Sequence, residues 1–162
     1  MKDVVILSAA RTPIGKFNGA LGPVPAPTLG ITAAKAAIAR AKLDPKDIEE
    51  VFMGQVLTAG VGQAPARQVA LGVGCPPETE ATTINKVCAS GMKAVIFATQ
   101  SLQLGTRQVM LAGGMEKYST RSPLPRRFYL CLIFSSMEAD GGVACRRFRF
   151  IFLGIRGMDM SM

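Results

Sequence analysis

Four short apolar runs alternate with three helical stretches across the first 115 residues, and this order limits the fold more than any other feature. Residues 4–10 are continuously apolar apart from Ser8 and end in Arg11-Thr12-Pro13-Ile14-Gly15, which reads as a buried strand and a turn. After the prolines at 23, 25 and 27 comes a helix that Thr28 is placed to cap, with Ile31, Ala34, Ile38 and Ala41 spaced to share a face. Leu43-Asp44-Pro45 ends it. Residues 51–56 form a second expected strand, 63–71 a short helix, and 82–87 a third strand, Thr82-Thr83-Ile84-Asn85-Lys86-Val87. A helix over 89–104 follows, apolar on every side at Ala94-Val95-Ile96-Phe97-Ala98, so both of its faces are expected to be covered. Residues 109–112 make a fourth strand closed by Gly113-Gly114. A βαβαβαβ order calls for an α/β fold, layered around a mostly parallel sheet with right-handed crossovers. In such sheets reactive groups gather at the carboxyl ends of the strands, here Arg11-Thr12-Pro13, Ala59-Gly60, Val87-Cys88 and Gly113-Gly114.

Composition narrows the chemistry. The 162 residues include no His and four Cys, at 75, 88, 131 and 145, never as C-x-x-C, so no structural zinc or other metal site is expected. Imidazole catalysis would have to be borrowed. No signal-peptide core opens the chain, and free thiols place it in a reducing, intracellular compartment. The longest apolar stretch, Phe128 to Phe134, is seven residues, far short of the roughly twenty that cross a bilayer. Residues 120–162 read as a separate Arg/Phe-rich tail: from 121 on, all seven basic residues are Arg, and six of the ten aromatics lie there. Arg with aromatics is also the chemistry of a nucleic-acid or anionic-lipid arm. The tail nevertheless shows no lasting period and is broken by Pro123 and Pro125, so poor order, and no nucleic-acid role, is the expectation.

Cys88 is the residue most suited to chemistry. It stands where the third strand passes to a helix that opens Ala89-Ser90-Gly91-Met92. A helix N-terminus favours the thiolate and supplies backbone N–H groups to an oxyanion, and the small residues permit a tight, nucleophile-elbow-like turn. The competing reading is a small buried hydrophobe. Glu116, after the Gly-Gly turn, reads as a hydrogen-bonding carboxylate with a structural role. Gly72-Val73-Gly74 leads into Cys75-Pro76-Pro77 rather than a helix and is no dinucleotide fingerprint.

The segment Asn85-Lys86-Val87-Cys88-Ala89-Ser90-Gly91-Met92-Lys93-Ala94 resembles the nucleophile segment of the thiolases, those of the mitochondrial acetoacetyl-CoA type above all. Val5-Ile6-Leu7-Ser8-Ala9-Ala10-Arg11-Thr12-Pro13-Ile14-Gly15 resembles the family's opening strand. Gly62-Gln63-Ala64-Pro65-Ala66-Arg67-Gln68 is similar to the start of its second helix, and Ala112-Gly113-Gly114-Met115-Glu116 to the segment after its fourth strand. The resemblance covers residues 2–119 and implies the N-terminal half of a thiolase. It implies that Cys88 takes an acetyl group from a CoA thioester, its backbone N–H serving as an oxyanion donor, and that a second acetyl-CoA then accepts the acetyl group to give acetoacetyl-CoA. Acetyl-CoA, acetoacetyl-CoA and CoA are the expected partners, as substrates rather than resident cofactors. A homo-oligomer paired through the strand Thr82 to Val87 is expected too. The family's second half carries Asn-Glu-Ala-Phe, Gly-His-Pro and Cys-x-Gly motifs, and none occurs in this sequence. The chain is therefore expected to be catalytically incomplete, with pairing to full-length subunits as the alternative role. The resemblance points to the mitochondrion, whereas the lack of an Arg/Ser-rich presequence before Lys2 points to the cytoplasm.

Overall fold

The computed structural model describes residues 3–118 and the backbone strand of residues 152–158. The elements are β1 (Asp3–Ala10), α1 (Ala26–Ala41), a 3-10 turn (Pro45–Asp47), β2 (Glu50–Gly54), α2 (Pro65–Val73), β3 (Glu80–Ile84), α3 (Ser90–Leu104), β4 (Val109–Gly114) and β5 (Phe152–Met158). The five strands form one sheet in the order β1-β5-β4-β2-β3. β2 lies parallel to both β3 and β4, while β5 runs antiparallel to β4 and β1, so the four expected strands all point one way.

Alternation along the central strands divides the core into two layers. Val51 and Met53 of β2 and Leu111 of β4 pack with Ala33, Ala34, Ala37 and Ile38 of α1 and Ala66, Val69 and Ala70 of α2. Phe52, Met110 and Ala112 turn to the other face and meet Ala94, Ala98 and Leu102 of α3. All five residues of β2 are buried, the signature of a parallel strand covered on both sides. Alanines on α1 and α3 let the helices settle close to the sheet, and Phe52 meets Phe97 edge-on at 6.2 Å.

Several local expectations are corrected. Thr28 is not the cap of α1: the helix starts at Ala26, preceded by Pro25, and Thr28 lies in the first turn, its carbonyl accepting from the Thr32 hydroxyl at 2.8 Å. Proline suits that start because its preset φ is helical and its missing N–H would have lacked a partner. The buried face of α1 runs through Gly30, Ala33, Ala34, Ala37 and Ile38, with Ile31 and Ala41 at its margins. Among the described residues α3 is covered on one face only: Met92 is 70% exposed, and Ile96 and Phe97 are also open to solvent. The apolar run that read as doubly buried therefore presents an uncovered side. Of the expected tail, residues 120–151 and 159–162 lie outside the described residues, Cys131, Cys145 and Phe128 to Phe134 with them. Within it, Phe152–Met158 forms a strand where none was expected, paired on both sides. No described helix is long and apolar enough to cross a membrane.

Candidate active site

The carboxyl ends of β2, β3 and β4 converge on the start of α3, and glycine makes the convergence possible. A Cβ on Gly54 would overlap the backbone of Ser90 and Gly91, and one on Gly114 would stand 3.1 Å from the Gly91 Cα. The glycines at the two strand ends thus allow backbone to rest on the backbone of the helix start. Hydrogen bonds lock the ends together: Met115 N–H donates to Gly54 O at 2.9 Å and Gln55 N–H to Ile84 O at 3.0 Å.

Between Ile84 and Ser90 the chain turns sharply. The Asn85 carboxamide oxygen accepts from Val87 N–H at 3.1 Å. Ser90 spans the turn, its Oγ accepting from Lys86 N–H at 2.8 Å and donating to Val87 O at 2.6 Å. Val87 is held at φ +47°, a left-handed conformation that costs a β-branched residue on the order of 1–3 kcal/mol and persists because the surrounding bonds over-determine it. Cys88 follows at the crest of this elbow, exposed, at the N-terminus of a 15-residue helix with no acidic residue in its first turn. The partial positive charge of that terminus is uncompensated by the helix's own side chains, so an anion formed there is stabilised.

The two described cysteines differ sharply. Cys75 is buried, and desolvation pushes its thiol up to about 11 despite the nearby Arg67. It is a small core hydrophobe, while Cys88 faces solvent. Among the described residues no cluster of three or more His, Cys, Asp or Glu is placed to hold a metal ion.

Glu116 has the structural role expected of it. Its carboxylate accepts from Val56 N–H at 2.8 Å and Leu57 N–H at 3.1 Å, fastening the loop that leaves β2. Burial raises its pKa, and the backbone N–H groups of Val56, Leu57 and Lys117 oppose the rise. Gln55, beside it in sequence and 1% exposed, donates to Leu57 O at 3.0 Å. Of the four strand-end segments read from the sequence, Val87-Cys88 and Gly113-Gly114 are brought together through Gly91. Ala59 and Gly60 are exposed in the loop after β2, and Arg11 hydrogen-bonds only to Thr12 O among the described residues. Gly54 and the bridging role of Ser90 were not singled out beforehand. The signal available for them was a glycine closing each of two apolar strands and another opening the helix after Cys88.

A solvent-facing thiol on a strand-to-helix elbow, at the end of a three-layer α/β sheet, defines an α/β protein that exposes a cysteine at its strand ends. The family model described as "Thiolase, N-terminal domain" matches residues 4–131. The chain belongs to the thiolase family. It is 58% identical over 119 residues to Acetyl-CoA acetyltransferase B, mitochondrial, of Xenopus laevis, an alignment covering 74% of this chain and 28% of that protein. Among solved structures it is similar to the Acat5 thiolase from Ascaris suum in complex with coenzyme A, with a TM-score of 0.74 and 39% identity, over 92% of this chain and 36% of that one. The acetyl-CoA acetyltransferase from Syntrophomonas wolfei is similar with a TM-score of 0.68 and 40% identity, over 69% of this chain and 28% of its own. The chain thus spans less than a third of the length of the curated relatives it matches.

Proposed function

We propose that this chain carries the nucleophile half of an acetyl-CoA acetyltransferase, with Cys88 as the residue acylated by a CoA thioester. The Cys88 sulfur attacks the thioester carbonyl, a new S–acyl bond forms, and the CoA thiolate leaves, taking up the proton that the thiol has lost. A second acetyl-CoA, deprotonated at its α-carbon, attacks the acetyl-enzyme carbonyl, which releases acetoacetyl-CoA and frees Cys88. The backbone N–H of Cys88 is one oxyanion donor. CoA thioesters enter as substrates, and no resident cofactor is needed. The observation that carries the reading is the exposed Cys88 on its braced elbow at the start of α3.

The proton steps need groups that these residues do not supply. The sequence has no His, and the uncovered apolar side of α3 around Met92, Ile96 and Phe97 supports a further body seated there in the complete enzyme. The chain by itself therefore acylates once and does not turn over. The mitochondrial naming of relatives supports a mitochondrial setting. The test is CoA release from acetyl-CoA: a burst of about one CoA per chain that Cys88→Ala abolishes, without steady turnover. Sustained acetoacetyl-CoA formation by the chain alone contradicts the incompleteness, and absence of the burst contradicts the nucleophile.

A second reading rests on the sheet edge. β3 ends the strand order, so its outer backbone is unpaired by any described strand and suits pairing with a second copy or with a full-length subunit. Co-elution with an intact thiolase on size exclusion tests it, and failure to co-elute at micromolar concentration rejects it.

A further inference from the structure

The elbow that presents Cys88 carries a second reactive group, and the acyl transfer to carbon leaves it unused. Lys86 and Cys88 flank the left-handed Val87 and form an isolated backbone bridge with each other. Both are exposed. Ser90 Oγ accepts from Lys86 N–H at 2.8 Å, so the backbone of Lys86 is fixed, while its side chain has no hydrogen bond or ion pair among the described residues. We propose that Lys86 is a self-acetylation site whose amine takes the acyl group from the Cys88 thioester, a step that rests on the reading of Cys88 as the acyl acceptor.

The step balances without a further reagent. The unprotonated Lys86 nitrogen attacks the thioester carbonyl, a C–N bond forms and the C–S bond breaks. The Cys88 sulfur leaves as thiolate, and the nitrogen gives up its extra proton to solvent. An amide is far more stable than a thioester, so the transfer runs one way. Reach is supplied by the chain itself. Two residues separate the Cα atoms by no more than about 7 Å, and the flexible four-carbon stem of lysine covers that distance. Because both groups stand on one braced turn, the attack is intramolecular, and such tethering raises the effective concentration of the amine far above that of a free one. Neighbouring lysines are placed less well. Lys93 is half-buried with its Nζ 4.1 Å from the centre of the Phe97 ring, a cation–π contact that holds it along α3. Lys117 is half-buried beyond β4. Time supplies the last condition. The sequence has no His, the commonest base for activating a carbon acceptor, so an acyl group on this chain stays on sulfur until the amine takes it. The transfer replaces a labile thioester with a lasting amide and removes one positive charge from the elbow.

To test this, the full chain is loaded with acetyl-CoA, freed of the donor by rapid desalting, and followed at pH 8 by intact mass, hydroxylamine treatment and peptide mapping. The expected result is one acetyl group at constant mass that passes, over hours, from a hydroxylamine-sensitive form on Cys88 to a resistant form on Lys86. Its half-time should not change when the chain is diluted about tenfold, as befits a step within one molecule. Lys86→Arg should stop the passage and leave the adduct sensitive. Cys88→Ala exposed to the same donor should acetylate Lys86 at least about tenfold more slowly. Loading in parallel with S-phenyl thioacetate, which acylates an exposed thiol without recognition of CoA, separates the two readings. Passage to Lys86 after that loading, with none of the chain loaded by acetyl-CoA, contradicts acetyl-CoA as the donor and supports the Lys86 step. A thioester that persists on Cys88 or is lost only to hydrolysis, amide spread evenly over the lysines, or equal acetylation of Lys86 without Cys88 overturns the proposal.

Discussion

Replacing Gly54 by alanine should damage the site without touching any reactive group. Gly54 closes a regular strand and does not take a left-handed φ, so alanine suits its backbone, and the whole effect must come from the added methyl. That methyl would overlap Gly91 N and Ser90 C and lie 2.7 Å from Ser90 O, and ordinary contact begins at 3.4 Å, so the start of α3 must retreat by at least about 0.7 Å. Backbone cannot rotate aside as a side chain can. Overpacking of this kind costs about 1–3 kcal/mol, which lowers the melting temperature by several degrees in a domain of this size. The same displacement moves Cys88 and its backbone N–H out of the position set by the strand ends, and misplacement on the ångström scale costs about a hundredfold in rate at worst, so acylation of Cys88 should slow by roughly 10- to 100-fold. Gly91→Ala is the contrast. Its methyl would meet the Gly114 Cα at 3.6 Å, an ordinary contact, and alanine favours the helix by up to about 1 kcal/mol. Thermal unfolding and stopped acylation assays on both variants decide. Equal behaviour of the two, or a Gly54→Ala chain with unchanged melting and acylation, refutes the claim that backbone contact positions the elbow.

Further predictions concern the elbow and its supports. Ser90→Ala leaves Lys86 N–H without its acceptor and frees Val87 to relax from its left-handed conformation, so stability should fall by about 1–2 kcal/mol in denaturant titrations and Cys88 acylation should fall with it. Ser90→Thr, which keeps the hydroxyl, should restore a part. Glu116 has a raised folded-state pKa, so its protonated form is favoured by folding. Its contribution is complete below the ordinary value of 4.5 and is lost as pH rises through the raised value, and Glu116→Gln should flatten the stability profile above pH 4.5. An unchanged profile contradicts the burial argument. Iodoacetamide at pH 8 should label Cys88 in the folded chain and leave Cys75 unmodified until denaturant is added, because Cys75 is buried with its thiol near 11. Labelling of both at similar rates means that the α2 end opens readily.

The elements that the sequence revealed are those whose pattern is local. β1, β2 and β4 are short apolar runs with turns behind them, and helices 89–104 and 63–71 were placed to within two residues of α3 and α2. Cys88 was legible because strand, thiol and small-residue helix start lie within a dozen residues. What braces it was not, since Gly54, Gly91 and Gly114 meet only after the sheet has assembled. The uncovered side of α3 was misread because an all-apolar turn implies cover without saying that the cover belongs to the same residues. β5 was hidden for the opposite reason. Its two glycines and one arginine carry no strand period, and it is a strand because two facing edges accept its backbone.

Acyl acceptance by Cys88 is the step on which the proposed chemistry depends. Intact-mass measurement of the chain after mixing with acetyl-CoA, with Cys88→Ala alongside, examines this most directly. One acetyl group per chain, mapped to Cys88, removed by hydroxylamine and absent from the alanine variant, is the predicted result. No adduct, or an adduct that survives Cys88→Ala, contradicts the claim and leaves the braced elbow as a structural feature alone.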